Sequence, residues 1–127
     1  MRTRTTIKTI GVLAALALVA VPTASAATDV HTATLSGSAS FPAVNGKAKY
    51  QVDNGIRELG AEIEDATALA GTTLKFRVDG RLVGSATVTS LGTARMRRSG
   101  SLVSPVSSGS RIRVTSSGVL VARGVFS

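Results

Sequence analysis

Lys47-Ala48-Lys49-Tyr50-Gln51-Val52, Asp53-Asn54-Gly55 and Glu58-Leu59-Gly60-Ala61-Glu62-Ile63-Glu64 together decide the fold class. In the first run Ala48, Tyr50 and Val52 alternate with Lys47, Lys49 and Gln51. In the third, Leu59, Ala61 and Ile63 alternate with Glu58, Glu62 and Glu64. A period of two places one set inward and the other outward on a half-buried strand, whereas a helix would repeat every 3.6 residues. The Asp-Asn-Gly segment between them has the residues that a tight turn requires. The stretch therefore reads as two antiparallel strands joined by a turn.

The same period continues through Leu74-Lys75-Phe76-Arg77-Val78, Arg111-Ile112-Arg113-Val114 and Val119 to Phe126. Asp79-Gly80, lying between Phe76-Arg77-Val78 and Arg81-Leu82-Val83, is the clearest hairpin signal. Further turns are expected at Asn45-Gly46, Ser99-Gly100, Ser108-Gly109 and Ser117-Gly118. The inward series steps oddly from Val83 to Ala86 and Val88, which predicts a bulge near Gly84-Ser85. Glu64 to Ala70 has helix formers and ends at Gly71, but it is too short for a stable helix and reads as a strand end plus a single turn. A Gly-x-Ala-x-apolar pattern recurs at Gly37–Phe41, Gly46–Tyr50, Gly84–Val88 and Gly92–Met96, each expected on a strand. Short strands with turns between them predict an all-β fold, an antiparallel β-sandwich (Ig-like or Greek-key-like) of about seven to eight strands. The four scattered aromatics, Phe41, Tyr50, Phe76 and Phe126, cannot form the girdles of a transmembrane barrel.

Met1 to Ala26 has the pattern of a signal peptide. Arg2, Arg4 and Lys8 precede an apolar run from Ile10 to Val21, and Ala24-Ser25-Ala26 closes it. The uninterrupted apolar run is about half of the roughly 20 residues a membrane-spanning helix needs. Cleavage after Ala26 is expected, leaving residues 27–127 as a single secreted, extracellular domain without a transmembrane anchor. The chain has no cysteine, so the domain must rely on its hydrophobic core rather than on disulfides.

The net charge of +8 includes three cations from that leader. Without them, 12 basic side chains face 7 acidic ones, a balance of +5. Residues 27–65 carry three basic and six acidic side chains; residues 66–127 carry nine basic ones against Asp79 alone. Glu58, Glu62 and Glu64 share an outward face, with Lys47 and Lys49 outward on the preceding strand, so cross-strand Lys–Glu pairs are expected. Arg95, Arg97 and Arg98, with Arg111 and Arg113, lie on two later strands without nearby acids in the sequence, and Lys75 and Arg77 add a third pair. If those strands are neighbours, these seven side chains form a basic face for an anionic ligand, such as an envelope polymer or polysaccharide. The plainer alternative is a solvated surface. Nucleic acid is disfavoured, because no aromatic lies among the arginines to stack bases.

The inventory argues against an enzyme. Thiol chemistry is excluded, His31 is the only histidine, and the serines lie in Gly/Ser turns without a Gly-x-Ser-x-Gly elbow. No cofactor motif or metal-ligand cluster appears, so no cofactor is expected.

Leu35-Ser36-Gly37, Gly46 to Tyr50, Arg57 to Glu64, Leu69-Ala70-Gly71-Thr72, Val78-Asp79-Gly80, Val83 to Ala86 and Val119 to Phe126 resemble small secreted bacterial proteins of uncharacterised function. The first part is also distantly similar to CHRD-type β-sandwich modules. Those modules carry a histidine-containing strand later in the domain, whereas this chain has no histidine after His31. The resemblance implies a secreted β-sandwich and carries over no catalytic residue. The function expected is a non-catalytic binding or structural module of the cell envelope or extracellular space. The alternative is weak self-association that pairs the acidic half of one copy with the basic half of another.

Overall fold

The computed structural model describes residues 29–127; the expected signal peptide and its cleavage site lie outside them. Eight strands follow in chain order: β1 (Asp29–Gly37), β2 (Asn45–Asp53), β3 (Ile56–Glu64), β4 (Thr73–Val78), β5 (Arg81–Thr87), β6 (Ala94–Ser99), β7 (Arg111–Ser116) and β8 (Val119–Val125). The segment after β3 contains one turn of 3-10 helix at Thr67–Leu69, as its short run of helix formers predicts. All neighbouring strands are antiparallel and join in one sheet of order β5-β4-β7-β8-β1-β2-β3-β6.

Three connections are two-residue turns. Asn54-Gly55, Asp79-Gly80 and Ser117-Gly118 all have positive φ at both positions, with Asn54 at 52° and Gly55 at 77°. That is the geometry of type I′ turns, whose twist matches the strands they join. The Asn45-Gly46 pair, expected to be a turn, instead begins β2. There Gly46 is pressed so closely against β3 that a Cβ would lie 2.1 Å from the Glu62 carbonyl oxygen. Asn-Gly here answers a need for space rather than for positive φ. The first Gly-x-Ala-x-apolar copy is also not a strand: β1 ends at Gly37, and Ser38 to Phe41 form the loop to β2.

Two bulges interrupt the ladders. Between β4 and β5, Phe76 pairs with Gly84 but Arg77 pairs with Leu82, so Val83 is the extra residue. This is the bulge that the odd step after Val83 predicts, one residue earlier than expected. Between β7 and β8, Val114 pairs with Ala122 and Thr115 with Leu120, which makes Val121 extra. At each bulge two successive residues turn inward, Val83 with Gly84 and Val121 with Ala122.

The inward residues form a single aliphatic core around Tyr50, Phe76 and Phe126, each at most 1% exposed. The loop from β6 to β7 contributes Val103 and Val106 to it. That loop is tied to β3 by a bond from the Arg57 Nε to the Val103 carbonyl. The two edge strands, β5 and β6, then face each other across a seam without ladder pairing. A Cβ on Gly84 would lie 2.9 Å from Met96 Cγ and 3.2 Å from Arg98 Nε, so glycine permits this close approach. The sheet is therefore nearly closed into a barrel, with one continuous outer face.

Candidate functional site: the cationic outer face

Strand order decides which of the seven predicted cations meet. β4 and β7 are neighbours, and Arg77 lies directly opposite Arg113. Lys75 lies opposite Thr115, and Arg111 starts the same strand as Arg113. Arg95, Arg97 and Arg98 are on β6 at the far end of the sheet order, beside β3. The expected single stripe is therefore two groups. One is on β4 and β7, the other on β6.

Arg113 has a second cationic neighbour. It pairs with Arg123 on β8, and Arg123 pairs in turn with Ser36 on β1. Arg77, Arg113 and Arg123 thus form one row across three adjacent strands. Such strands lie about 4.8 Å apart, and like charges placed directly opposite repel one another. Among the described residues none of the three has a carboxylate within 4.0 Å. Arg77 Nη1 donates instead to Thr115 Oγ1, 3.3 Å away.

Sequence reasoning missed Arg123 for a definite reason. Strict alternation from Val119 and Val121 assigns Arg123 to the same side as the buried Val121. The extra residue at Val121 shifts the phase, so Ala122 turns inward and Arg123 outward. The signal was available in the pattern: an arginine in phase with valines on a strand implies a bulge between them.

The β6 group is not free of acids, contrary to the expectation from sequence. β6 pairs with β3, and Arg95 lies opposite Glu62. Arg95 Nε is 2.9 Å from Glu62 Oε2, while Lys47 Nζ, from β2, is 3.9 Å from Oε1. The Glu62 side chain is 24% exposed between partners that are 80% and 78% exposed, so the two long cations cover the carboxylate. The expected Lys–Glu pairing is present at Lys47–Glu62. Glu58 is engaged separately by Gln51 Nε2 at 3.1 Å, and Asp65 by Asn45 Nδ2 at 2.7 Å. Arg97 lies opposite Gly60 and makes no ion pair; Arg98 lies opposite Leu59 and reaches toward the β5–β6 seam.

Two shallow depressions mark this face. Thr34, Ser36, Arg111, Arg113 and Arg123 line one of them. Thr32, Thr34, Lys49, Gly60 and Arg97 are among the residues of the other. They share Thr34, so the hydroxyls of β1 lie between the two cationic groups. Tyr50, Phe76 and Phe126 are buried and Phe41 packs against the core, which leaves no aromatic ring on this surface for a base or a sugar to stack on.

His31 has a structural setting. Its Nδ1 lies 2.6 Å from the Ser127 carbonyl oxygen and its Nε2 2.8 Å from Asp29 Oδ1. The Ser127 hydroxyl donates to the Thr32 carbonyl and not to the histidine, so no Ser-His-Asp relay forms there. Among the described residues no group of three or more His, Asp or Glu side chains is placed to hold a metal ion. No described helix is long and apolar enough to cross a membrane. No protein-family model matches the chain, and comparison with curated proteins finds no match.

Proposed function

We propose that this chain is a secreted, non-catalytic module that binds an anionic polymer outside the cell through its cationic outer face. One observation carries the reading: Arg77, Arg113 and Arg123 are aligned on three adjacent strands with no carboxylate to neutralise them. A row of like charges costs stability, so a surface that keeps one is better explained by an external counter-charge than by solvation alone. The absence of outer aromatics favours a ligand held by charge and hydroxyl contacts over a neutral glycan or a nucleic acid.

The Greek-key sandwich belongs to the same proposal. The β8–β1 join has two paired positions, Ser36–Arg123 and Gly37–Ala122, against eight between β1 and β2. That short join and the unpaired β5–β6 seam support reading the sheet as two layers, β5-β4-β7-β8 and β1-β2-β3-β6. The likeness to secreted bacterial β-sandwich proteins fits this arrangement. Self-association of acidic with basic halves is disfavoured, since Glu62, Glu58 and Asp65 are engaged within the molecule.

The test is a binding titration of residues 27–127 against a polyuronate at rising ionic strength. Binding that weakens steeply with salt, and that the triple change Arg77→Ser, Arg113→Ser, Arg123→Ser removes, supports the reading. Equal binding by the triple variant, or none at low salt by the parent, overturns it.

A further inference from the structure

Three rows of outward residues cross β2, β3 and β6. The first is Gln51, Glu58 and Ser99; the second is Lys49, Gly60 and Arg97; the third is Lys47, Glu62 and Arg95. In the third row a carboxylate sits between a lysine and an arginine and is held by both, at 3.9 and 2.9 Å. The second row repeats the arrangement two residues along, with a lysine on one side and an arginine on the other. Its central position is Gly60, which interrupts the outward series Glu58, Glu62, Glu64.

The backbones bearing Lys49 and Arg97 lie about 9–10 Å apart, two strand spacings, with a notch between them. The floor of the notch is open: a Cβ on Gly60 would meet nothing nearer than Met96 O at 3.8 Å and Arg97 Cγ at 3.9 Å. Neither close packing nor a left-handed backbone therefore demands glycine here. Lys49, Gly60 and Arg97 line the depression that reaches Thr34 and also an adjoining one, which Gln51, Glu58 and Ser99 complete. Among the described residues neither Lys49 nor Arg97 has an ion-pair partner. The charged groups around the notch are Lys47, Lys49, Arg95, Arg97 and Arg98 against Glu58 and Glu62. Glu62 is already engaged by two cations and Glu58 by Gln51.

We infer that the Gly60 notch is a subsite for one carboxylate group of the ligand, which takes the place between Lys49 and Arg97 that Glu62 takes between Lys47 and Arg95. The inference rests on the anionic-polymer reading and makes it more specific, because it assigns the polymer to the acidic polysaccharides, with a uronate carboxylate as the group recognised. The Arg97 guanidinium supplies a planar fork and Lys49 a point charge, the same pair of donors that Glu62 receives. Ser99 and Gln51, at the edge of the notch, have hydroxyl and amide groups that suit a sugar's hydroxyls.

The experiment uses residues 27–127 labelled for NMR and titrated with sodium acetate, with sodium chloride at equal ionic strength as control. Acetate is expected to shift the Gly60 amide and Arg97 Nε signals in the parent. Gly60→Glu, which places a carboxylate in the notch, should weaken that response about tenfold or more while Gly60→Ala keeps it. Gly60→Glu should also melt no lower than the parent at low salt, which shows that the lost response is not unfolding. An unchanged acetate response in Gly60→Glu overturns the inference, as does a response to inorganic phosphate with none to acetate. An oligouronate arm separates the two proposals. Binding removed by the Arg77, Arg113, Arg123 triple change but untouched by Gly60→Glu sinks the notch and leaves the polymer reading standing. No oligouronate binding by the parent sinks the polymer reading, while the acetate shifts still report on the notch.

Discussion

Arg77 on β4 and Arg113 on β7 are direct cross-strand partners, and neither has an acid within ion-pairing distance. Arg113 faces a second arginine, Arg123, on its other side. Replacing Arg113 with Thr removes both repulsions and introduces a residue that strands favour. The variant should be more stable than the parent by roughly 0.2–1 kcal/mol at low salt. Urea unfolding at two ionic strengths checks this, because screening should shrink the gain at high salt. A loss of stability at low salt would contradict the repulsive row.

Glu62→Gln tests the opposite arrangement. It removes the carboxylate that Arg95 and Lys47 share, but both partners are about four-fifths exposed and remain hydrated. The cost should be small, about 0.5 kcal/mol. The surface also gains one unit of positive charge, so polyuronate binding should tighten at low salt. Denaturation and a binding titration on the same sample check both.

At the seam, Gly84→Val should destabilise the fold by about 1–3 kcal/mol, because the side chain would meet Met96 and Arg98. Pairing it with Met96→Ala opens space for the valine, so the double variant should lose less than the two single losses added together. Unfolding of the four proteins in a mutant cycle measures the coupling. Strict additivity would show that β5 and β6 do not touch there in solution.

His31→Ala should release the chain after β8. The imidazole bridges Asp29 and Ser127, and the Ser127 amide also donates to the Thr32 carbonyl. Hydrogen exchange should show reduced protection at Ser127 and Phe126, with the β2–β3 hairpin unchanged. Unaltered exchange at both residues would show that the histidine does not hold this segment.

What could be read from the chain was local. Ala48, Tyr50, Leu59, Ala61 and Ile63 announce their burial through a period of two, and Asn54-Gly55 and Asp79-Gly80 announce turns through their tolerance of positive φ. Both signals act within a few residues, so the alternation and the hairpins were legible. Which strands lie side by side depends on distant contacts, and no local pattern says that β6 joins β3. That is why Arg95 was expected to be free of acids although Glu62 receives it. Composition was equally ambiguous at Asn45-Gly46, where glycine serves a close strand contact, and at Gly37 to Phe41, where a strand-like spelling forms a loop. Arg123 was lost to a bulge that alternation alone does not count. For the candidate site, Arg77, Arg97 and Arg113 could be named from strand alternation, while Lys49 and Gly60 enter only through the register of β2, β3 and β6.

The β5–β6 seam has a mechanical consequence. A fully hydrogen-bonded cylinder resists shear all the way round, whereas here β8 and β1 are joined by two paired positions with added bonds from Ser38 and Ser127, and β5 and β6 meet through side chains without a ladder. The nearly closed sheet thus has one lip, between β5 and β6, that no ladder latches. The arginine row lies on β4, β7 and β8, and the Gly60 notch on β2, β3 and β6. A rigid ligand that reaches both would tie the two sides of that lip together from outside, so occupancy should be readable as slowed amide exchange along β5, a strand that carries none of the residues assigned to the ligand.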